Sequence, residues 1–352
     1  MEIDEAHFYQ MRIPLTSTFA ISLGSQDSYE SVVVELHTNE INGFGEGATM
    51  PRITGETPGI MYEALCYILD NIKGKTFESL EAFTESVGRF LQWNPTAKNA
   101  IDMAIHDLTA KNMGVHVTKL LGGHLIKKET SMTVGLGDVK SSIAKLEEFL
   151  GAGAKMIKLK VGGNIDTDIK RINALAKRIG KVPFYADANQ GYSLGEALKL
   201  SKVLLDTGAI FFEQPLDRYD FDSLKLLRTK GGVPIMLDES IFSPRDVIES
   251  IRKEAADYVN VKLAKSGGIR GSLKTLTAAQ AYGVEAMIGC MIESKLSTTA
   301  ALATASAARN VRFTDLDGYL SLVRQPFEGG IELANGTNTL LDGKGLAIEK
   351  RF

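Results

Sequence analysis

The fold is decided by a pattern that begins at Met156-Ile157-Lys158-Leu159-Lys160, where an apolar, strand-like start leads into two lysines. Four later stretches repeat the design, each an apolar run that ends in one charged residue: Asp187, Glu213, Asp238 and Lys262. Counted from Lys160, the steps between these residues are 27, 26, 25 and 24 positions. In a (β/α)₈ barrel about 250 residues make eight units, so one unit takes about this length. The spacing therefore predicts five successive barrel strands with charged groups on one rim.

The first third of the chain has a different texture. Residues 1–48 alternate like strands, with Asn42-Gly43 as a hairpin signal. Residues 97–120 carry Ala, Met, Ile and Leu at three- and four-residue spacing, which predicts a helix. We therefore predict an α+β capping domain over residues 1–125.

From Glu129 onward, strand-like and helix-like patterns alternate, as is typical of a parallel barrel. The predicted fold is a (β/α)₈ TIM barrel over residues 126–319, and residues 320–352 are expected to fold back on the capping domain. We expect strands near residues 129–136, 156–162, 183–187, 209–213, 234–238, 258–263, 284–290 and 312–316. We expect helices between them, among them residues 166–179 and 194–205.

Composition excludes several classes of function. The 352 residues are 44% hydrophobic and 24% charged, with a net charge of −3, which gives no reason to expect nucleic acid or a membrane as partner. Cys66 and Cys290 are the only cysteines and lie in apolar runs, as reduced core thiols do. The acidic residues 1–5 do not resemble a signal peptide, and no apolar run approaches the length of a membrane span. We expect a cytoplasmic protein that forms a homo-oligomer.

The histidines give a negative clue. All five precede residue 125: His7, His37, His106, His116 and His124. The predicted barrel therefore contains neither a histidine base nor a histidine-rich zinc site. Proton transfer on its rim must use lysine or a carboxylate.

The lysines are candidate bases. Lys158 and Lys160 stand two apart on a strand, so their side chains share a face. Such a pair alone is usually a solvated strand edge, but catalytic groups concentrate at the carboxyl ends of barrel strands. Two neighbouring ammonium groups and partial burial lower a lysine pKa, so one of them is expected to act as a base. Lys262 is placed to approach from the opposite side, whereas Lys265 is expected to be a loop or helix-start charge.

The acids predict a metal site. Asp187, Glu213 and Asp238 offer oxygen donors from neighbouring strands without Cys or His, a set that favours Mg²⁺ or Mn²⁺ over zinc. A single acid of this kind is usually a helix cap, but three on one rim are not. Asn189 shares the face of Asp187 and is expected to support it. Glu239 is expected to point away and to be structural.

These motifs together resemble the muconate-lactonizing branch of the enolase superfamily. The resemblance covers nearly the whole chain and depends on the ordered set Lys158-Leu-Lys160, Asp187-Ala-Asn189-Gln190, Glu213-Gln214-Pro215, Asp238-Glu239-Ser240 and Asn260-Val-Lys262. Such sites are known to combine a Lys or His base with Mg²⁺. The absence of a barrel histidine argues against the mandelate-racemase-like branch, which uses a histidine base.

The eighth strand indicates the reaction within this branch. Asp315 and Asp317 look like the Asp-x-Asp of the dipeptide epimerases, which holds the α-ammonium group of the substrate. The stretch 289–294, which includes Ile292, also resembles that group, and Thr133 matches a binding position. The resemblance implies an Mg²⁺-dependent isomerase that inverts the α-carbon of the second residue of a dipeptide through an enediolate.

The resemblance also implies roles for the rim. Lys160 and Lys262 would exchange the roles of base and acid, and Lys158 would stabilise the enolate oxygen. Mobile loops near residues 16–27 and 48–56 would read the side chain of the second residue.

Relatives that act on Ala-Glu have an arginine in the first loop, and Gly24 stands at that position here. We therefore expect a small or apolar second residue. Arg52 in the second loop is a further candidate for substrate contact, although a surface arginine is the simpler interpretation.

Other reactions stay open at this point. An L-Ala-D/L-Glu epimerase would use the same barrel residues. An o-succinylbenzoate synthase or N-succinyl amino acid racemase would keep the lysines and the metal but would act on a substrate without a free α-amine. Muconate-type cycloisomerisation and a non-catalytic, ligand-binding barrel are the remaining alternatives.

Overall fold

The computed structural model describes residues 3–38 and 41–352, and its first part is a cap. Three antiparallel strands form the sheet of the cap: β1 Glu5–Ile21, β2 Gly24–Thr38 and β3 Ile41–Ala48. Five helices follow it: α1 Pro51–Thr54, α2 Pro58–Ile72, α3 Leu80–Phe90, α4 Pro95–Asn112 and α5 Val117–Leu120.

Helix α4 lies directly on β3 because that strand presents glycines. A Cβ at Gly45 would come within 1.9 Å of the Ala100 carbonyl oxygen, and one at Gly43 within 2.3 Å of the Ala104 carbonyl oxygen. The hairpin indicated by Asn42-Gly43 is present as β2 and β3, but these two residues lie within β3 and pair with β2. The single helix predicted over residues 97–120 is also wrong, because α4 ends at Asn112 and a separate turn forms α5.

The second part is the predicted barrel of eight parallel strands. After β4 (Lys127–Glu129) they are β5 Ser131–Val134, β6 Met156–Lys160, β7 Phe184–Asp187, β8 Phe212–Glu213, β9 Ile235–Leu237, β10 Tyr258–Val261, β11 Glu285–Gly289 and β12 Val311–Asp315. They pair in sequence order from β5 to β12, and all eight predicted strands are present. Side chains join the first and last strands, as where the Leu316 N–H donates to Thr130 Oγ1 at 2.8 Å.

The barrel core is closed below the rim by large side chains: Tyr185, Phe211, Met236, Met287 and Phe313. Helices surround the strands: α6 Val139–Gly151, α7 Ile165–Ile179, α8 Leu194–Thr207, α9 Phe221–Gly231, α10 Pro244–Arg252, α11 Leu263–Ser266, α12 Ile269–Ala281 and α13 Lys295–Ser306. The two helices predicted over residues 166–179 and 194–205 are both present. Because the interior is filled, ligands can reach only the rim.

The last residues tie the two parts together. A 3₁₀ turn spans Gly318–Ser321, and four short strands follow: β13 Phe327–Gly329, β14 Ile331–Ala334, β15 Thr337–Leu340 and β16 Ile348–Lys350. Strand β15 pairs with β4, and Lys350 forms an ion pair of 2.8 Å with Glu35 in the cap. Among the described residues no helix combines the length and apolar character that a membrane crossing requires.

Candidate active site

Strand register brings the charged residues of the rim side by side. Lys160 pairs with Asp187, and Asp187 pairs with Glu213, across β6, β7 and β8. Asp238 and Lys262 each lie one residue beyond the end of their strand. Strand β10 is four places from β6 in a barrel of eight strands, so Lys262 faces Lys160 across the rim.

Lys158 lies at the centre of a cluster of buried carboxylates. Its Nζ lies 2.6 Å from Asp315 Oδ2, 2.9 Å from Asp187 Oδ2 and 3.1 Å from Glu213 Oε2. Burial opposes the charged form, but these three acids outweigh it and raise the pKa of Lys158 well above its ordinary value. The expectation that neighbouring lysines lower each other's pKa is therefore wrong for Lys158, because the acids are closer and more numerous.

Lys160 points to the same face and has its own partners. Its Nζ donates to Asp187 Oδ2 at 2.7 Å and to Asn189 Oδ1 at 2.7 Å. The two lysines therefore share Asp187, whose pKa falls to about 2 because they outweigh its burial. This carboxylate is ionised over the whole physiological pH range.

Lys262 is held by one acid on the opposite side. Its Nζ donates to Asp238 Oδ2 at 2.8 Å, and although burial acts against the charge, this contact raises the pKa of Lys262. The other oxygen of Asp238 accepts from Lys265 Nζ at 2.5 Å. Lys265 is only 2% exposed, so the expectation of a loop or helix-start charge is wrong: it lies within the short helix α11, and its ammonium binds Asp238 in the interior.

The three acids fit a hard cation by their chemistry. Asp187, Glu213 and Asp238 have no exposed surface, and Glu213 Oε2 accepts no hydrogen bond from the described residues. Burial and the nearby charge of Asp187 raise the pKa of Glu213 to about 8, because together they outweigh the opposing charge of Lys158. Oxygen donors of this kind suit Mg²⁺.

The acids are not gathered around one empty point. No group of three or more His, Cys, Asp or Glu residues among those described is arranged to hold a metal ion. Lys158 reaches between Asp187 and Glu213 instead, and Lys262 and Lys265 divide Asp238 between them. The donor set therefore fits Mg²⁺, while lysine ammonium groups balance its charge in this structure. The assignment of the three acids to a metal stays a prediction.

The two aspartates of the eighth strand have different surroundings. Asp315 is 4% exposed and accepts from Ser131 Oγ at 2.8 Å besides its contact with Lys158. Asp317 is partly buried, and its Oδ2 accepts from the Thr133 N–H at 2.8 Å. Burial and the charge of Asp315 raise the pKa of Asp317 to about 6. Asp315 is thus already neutralised by a lysine, whereas Asp317 has no cationic partner among the described residues.

A cavity of about 360 Å³ opens above these groups. Lys158, Lys160, Lys262, Asp315 and Asp317 line it on the barrel side. The opposite wall comes from the cap and from the segment after the seventh strand, and it carries seven apolar side chains beside the polar Thr16, Ser17 and Thr18: Phe19, Ala20, Ile21, Met50, Ile53, Met291 and Ile292. Thr133 also lines the cavity. A small ligand there would have charged groups on one side and an apolar wall on the other.

Gly24 and Arg52, the predicted specificity residues of the loops, do not line this cavity. They lie together in a neighbouring cavity of about 320 Å³, which is separated by Phe19, Ile21 and Met50. Gly24 has φ of +135°, and a Cβ there would lie 1.1 Å from Arg52 Nη1. The Arg52 guanidinium occupies the space over Gly24, and the contact of both residues with substrate stays a prediction.

Glu239 was expected to point away from the site, and the structure overturns this. The carboxylate is 1% exposed, and its Oε1 accepts from Asn189 Nδ2 at 3.1 Å. Alternation of faces holds only within a strand, and β9 ends at Leu237, two residues earlier. A sequence signal was present only in the acidic pair Asp238-Glu239, which did not reveal the contact.

Comparison with known proteins agrees with this architecture. Residues 5–122 match the family model of the mandelate racemase / muconate lactonizing enzyme N-terminal domain. Residues 142–351 match the family model described as enolase C-terminal domain-like. Together the two matches span nearly the whole chain.

Individual relatives are similar over their full length. The chain is 36% identical to an L-Ala-D/L-Glu epimerase of Clostridium acetobutylicum, with 96% of each chain covered. It is 34% identical to a hydrophobic dipeptide epimerase of Enterococcus faecalis, with 95% of each covered. A crystal structure of the Enterococcus faecalis dipeptide epimerase, complexed with Mg and the dipeptide L-Leu-L-Tyr, superposes with a TM-score of 0.95 at 34% identity, covering 99% of this chain and 100% of that one.

Proposed function

The chain belongs to the mandelate racemase / muconate lactonizing enzyme family of enolase-like proteins, and from this premise we propose that it is an Mg²⁺-dependent dipeptide epimerase. It would be an isomerase that inverts the α-carbon of the C-terminal residue. One observation supports this most directly: Lys160 and Lys262 line one cavity from opposite sides of a group of buried acids. Two bases on opposite faces are what an inversion requires.

The proton steps follow from this placement. One lysine, in its neutral form, takes the α-proton, and the electrons of the C–H bond move to the substrate carboxylate. The other lysine, in its ammonium form, gives a proton to the opposite face of the carbon. Because both lysines serve each direction in turn, neither has a fixed role.

Asp187, Glu213 and Asp238 would hold Mg²⁺, which when bound supplies positive charge that stabilises the negative charge developing on the substrate carboxylate. Lys158 would donate to the same oxygens. When the charge of Asp238 is balanced by a divalent cation, less attraction keeps Lys262 protonated. Lys262 can then serve as a base.

Asp317 would anchor the α-ammonium group of the first residue. It lines the cavity and lacks a cationic partner among the described residues, whereas Asp315 is paired with Lys158. Holding this end fixes which carbon lies between the lysines. A substrate without a free amine would leave the carboxylate of Asp317 with the Thr133 N–H but no cationic partner.

The second residue is proposed to be small or apolar. The cap contributes Phe19, Ala20, Ile21, Met50 and Ile53 to the cavity, and Arg52 lies in the neighbouring cavity. The hydrophobic dipeptide epimerase of Enterococcus faecalis supports this choice, whereas the L-Ala-D/L-Glu epimerase of Clostridium acetobutylicum favours an acidic one. Cytoplasmic location and homo-oligomeric assembly stay predictions.

Deuterium uptake tests the proposal. The protein would be incubated with Mg²⁺ in D₂O and with pooled apolar and acidic dipeptides, and the products read by mass spectrometry. We expect a gain of one deuterium at the second residue, lost with EDTA and in Lys262→Ala. Uptake by N-succinyl amino acids alone would instead favour a racemase such as the Bacillus cereus relative, which is 31% identical.

A further inference from the structure

A buried hydrogen-bond chain reaches Lys160 from behind the cavity. Glu239 Oε1 accepts from Asn189 Nδ2 at 3.1 Å, and Asn189 Oδ1 accepts from Lys160 Nζ at 2.7 Å. Glu239 and Asn189 are 1% and 2% exposed, so water does not compete with these bonds. Glu239 itself does not line the cavity, so it acts only through the amide.

The chain fixes which way round the Asn189 amide lies. In its ionised form the Glu239 carboxylate only accepts hydrogen bonds, and it then selects the amide NH₂ group. The carbonyl oxygen must then face Lys160, where it accepts from the ammonium. If the amide were reversed, its NH₂ group would face an ammonium that also only donates.

The backbone around Asn189 supports the same arrangement. Asn189 has φ of +41°, and its N–H donates to Asp187 Oδ1 at 2.9 Å. Ser22 Oγ, from the first loop of the cap, lies 2.7 Å from the Asn189 carbonyl oxygen. A left-handed residue of this kind costs energy and persists only where its surroundings hold it.

The second lysine has no such support. Within the described parts of the chain, the Lys262 ammonium donates to Asp238 and to no amide. The two bases therefore differ in how firmly they are held, although they line the same cavity.

We propose that Glu239 is a positioning residue for Lys160, which it orients through the side-chain amide of Asn189. The inference depends on the proposed function, since it assigns one proton-transfer face to Lys160 and the other to Lys262. Without the acceptor at Glu239, the amide is free to rotate, and Lys160 loses one of its two hydrogen bonds at the ammonium. Proton transfer on its face should slow, and transfer on the face of Lys262 should not.

Exchange of the unreacted substrate separates the two faces. Epimerisation rates in both directions must fall together, because their ratio is fixed by the equilibrium constant. Deuterium uptake into recovered substrate has no such constraint. The diastereomer whose α-proton Lys262 removes can take up deuterium from Lys262 itself, without a proton transfer at Lys160. Lys160→Ala and Lys262→Ala would show which diastereomer each lysine serves.

The experiment compares Glu239→Leu and Glu239→Gln with the wild type, using both diastereomers of one apolar dipeptide with Mg²⁺ in D₂O. We expect Glu239→Leu to lower exchange of the Lys160-side diastereomer about tenfold more than exchange of the other, a loss in the range for a misplaced catalytic group. The measured quantity is the ratio of the exchange rates of the two diastereomers. Glu239→Gln keeps an acceptor oxygen and should bring this ratio back to within about threefold of the wild-type value. The ratio is independent of how much of a preparation is folded.

A double substitution tests whether Glu239 acts through Asn189. Asn189→Ala should shift the ratio at least as far as Glu239→Leu, and combining the two should add little. Glu46→Gln is the matched control, because the Glu46 carboxylate is also buried but accepts from Tyr29 and Ser294 instead of Asn189. It should leave the ratio unchanged.

The outcomes are distinct. Equal losses on both faces in Glu239→Leu, with exchange intact in the wild type, would overturn the positioning role and leave the epimerase proposal standing. An equal shift in Glu239→Gln and Glu239→Leu would show that charge rather than amide orientation matters, and would also overturn it. Absence of exchange in the wild type with any dipeptide overturns the proposed function and this inference together.

Discussion

The barrel rim and the cap loops form opposite walls of one cavity, and the two walls contain different kinds of side chain. The rim is buried, densely charged and cross-linked, as at Asp187, which contacts two lysines and has no exposed surface. The cap wall has no charged side chain and is largely apolar, with Phe19 and Ile21 contributed by the end of β1. Chemistry that is common to many substrates belongs on the rigid rim, and choice of substrate belongs on the loops.

The largest expected effect is at the lysines of the rim. Lys160→Ala and Lys262→Ala should each lower kcat for epimerisation by about 10³-fold or more, because each removes a group that transfers a proton. The measurement is polarimetry or chiral chromatography of the second residue. Lys199→Ala, at an exposed lysine that pairs with Asp166 and does not line the cavity, is the control and should keep its activity. Near-normal turnover in either rim variant would contradict the two-base assignment.

The two aspartates of the eighth strand should separate in kinetics. Asp317→Asn should raise KM about 10²-fold with less effect on kcat, since Asp317 is proposed to hold the ammonium of the substrate. Asp315→Asn should act mainly on kcat, because it leaves Lys158 with one carboxylate fewer. Steady-state kinetics on one apolar dipeptide would measure both. An equal KM effect from both substitutions would mean that they share the ammonium.

A dependence on pH should follow from Asp317. Its pKa is raised to about 6 by burial and by Asp315, so it is ionised above that pH and protonated below it. KM should be flat above pH 6 and should rise as the pH falls through it, by up to about tenfold per unit. Asp317→Asn should abolish this slope. A slope that persists in Asp317→Asn would assign the titration to another group.

These differences explain how far sequence could go. Barrel spacing placed Asp187, Glu213 and Asp238 on one rim, because strand ends recur at a fixed interval and each end delivers a side chain to the same place. It could not give the protonation of Lys158, which depends on distances to acids that are up to 157 residues away along the chain. It also missed Glu239, since the strand ends before that residue and face alternation no longer applies.

The loops were less predictable for a related reason. The Arg52 guanidinium can take its position only because Gly24 has no side chain. Gly24 is 28 residues earlier in the chain, and no periodic pattern connects the two. Sequence correctly assigned the loops to the cap but could not show which side of Phe19 the guanidinium would take. Loop geometry depends on tertiary contacts, whereas the rim depends on a repeating strand.

A moderate effect is expected at the apolar wall. Phe19→Ala should lower kcat/KM about tenfold for dipeptides with a large apolar second residue, since a buried aromatic side chain contributes about 1.5–3 kcal/mol. Dipeptides that end in alanine should change by less than about threefold, because they reach the wall less. The ratio of the two specificities is the measurement. The Phe19 ring also lies near Lys160, with its centroid 5.8 Å from Lys160 Nζ, so the substitution could lower activity on every dipeptide. The ratio cancels such an effect because both substrates share it.

The smallest effect is expected at Arg52. Its guanidinium has no ion pair or hydrogen bond with the described residues, and it lies behind Phe19 and Ile21. Arg52→Ala should change kcat/KM for apolar dipeptides by less than about twofold, as surface substitutions usually do. Arg12→Ala is the matched control, since Arg12 lines the same neighbouring cavity and pairs with Glu30 at 3.4 Å.

An acidic dipeptide tests whether the loops can change the substrate preference while the rim chemistry stays the same. If Arg52 stays over Gly24, Ala-Glu should be a poor substrate of the wild type and Arg52→Ala should leave it equally poor. A selective loss of Ala-Glu turnover in Arg52→Ala would show that the guanidinium leaves Gly24 and enters the cavity when substrate binds. The second loop would then supply the cation that the first loop lacks at Gly24, and the preference for an apolar second residue would be wrong while the rim chemistry is untouched.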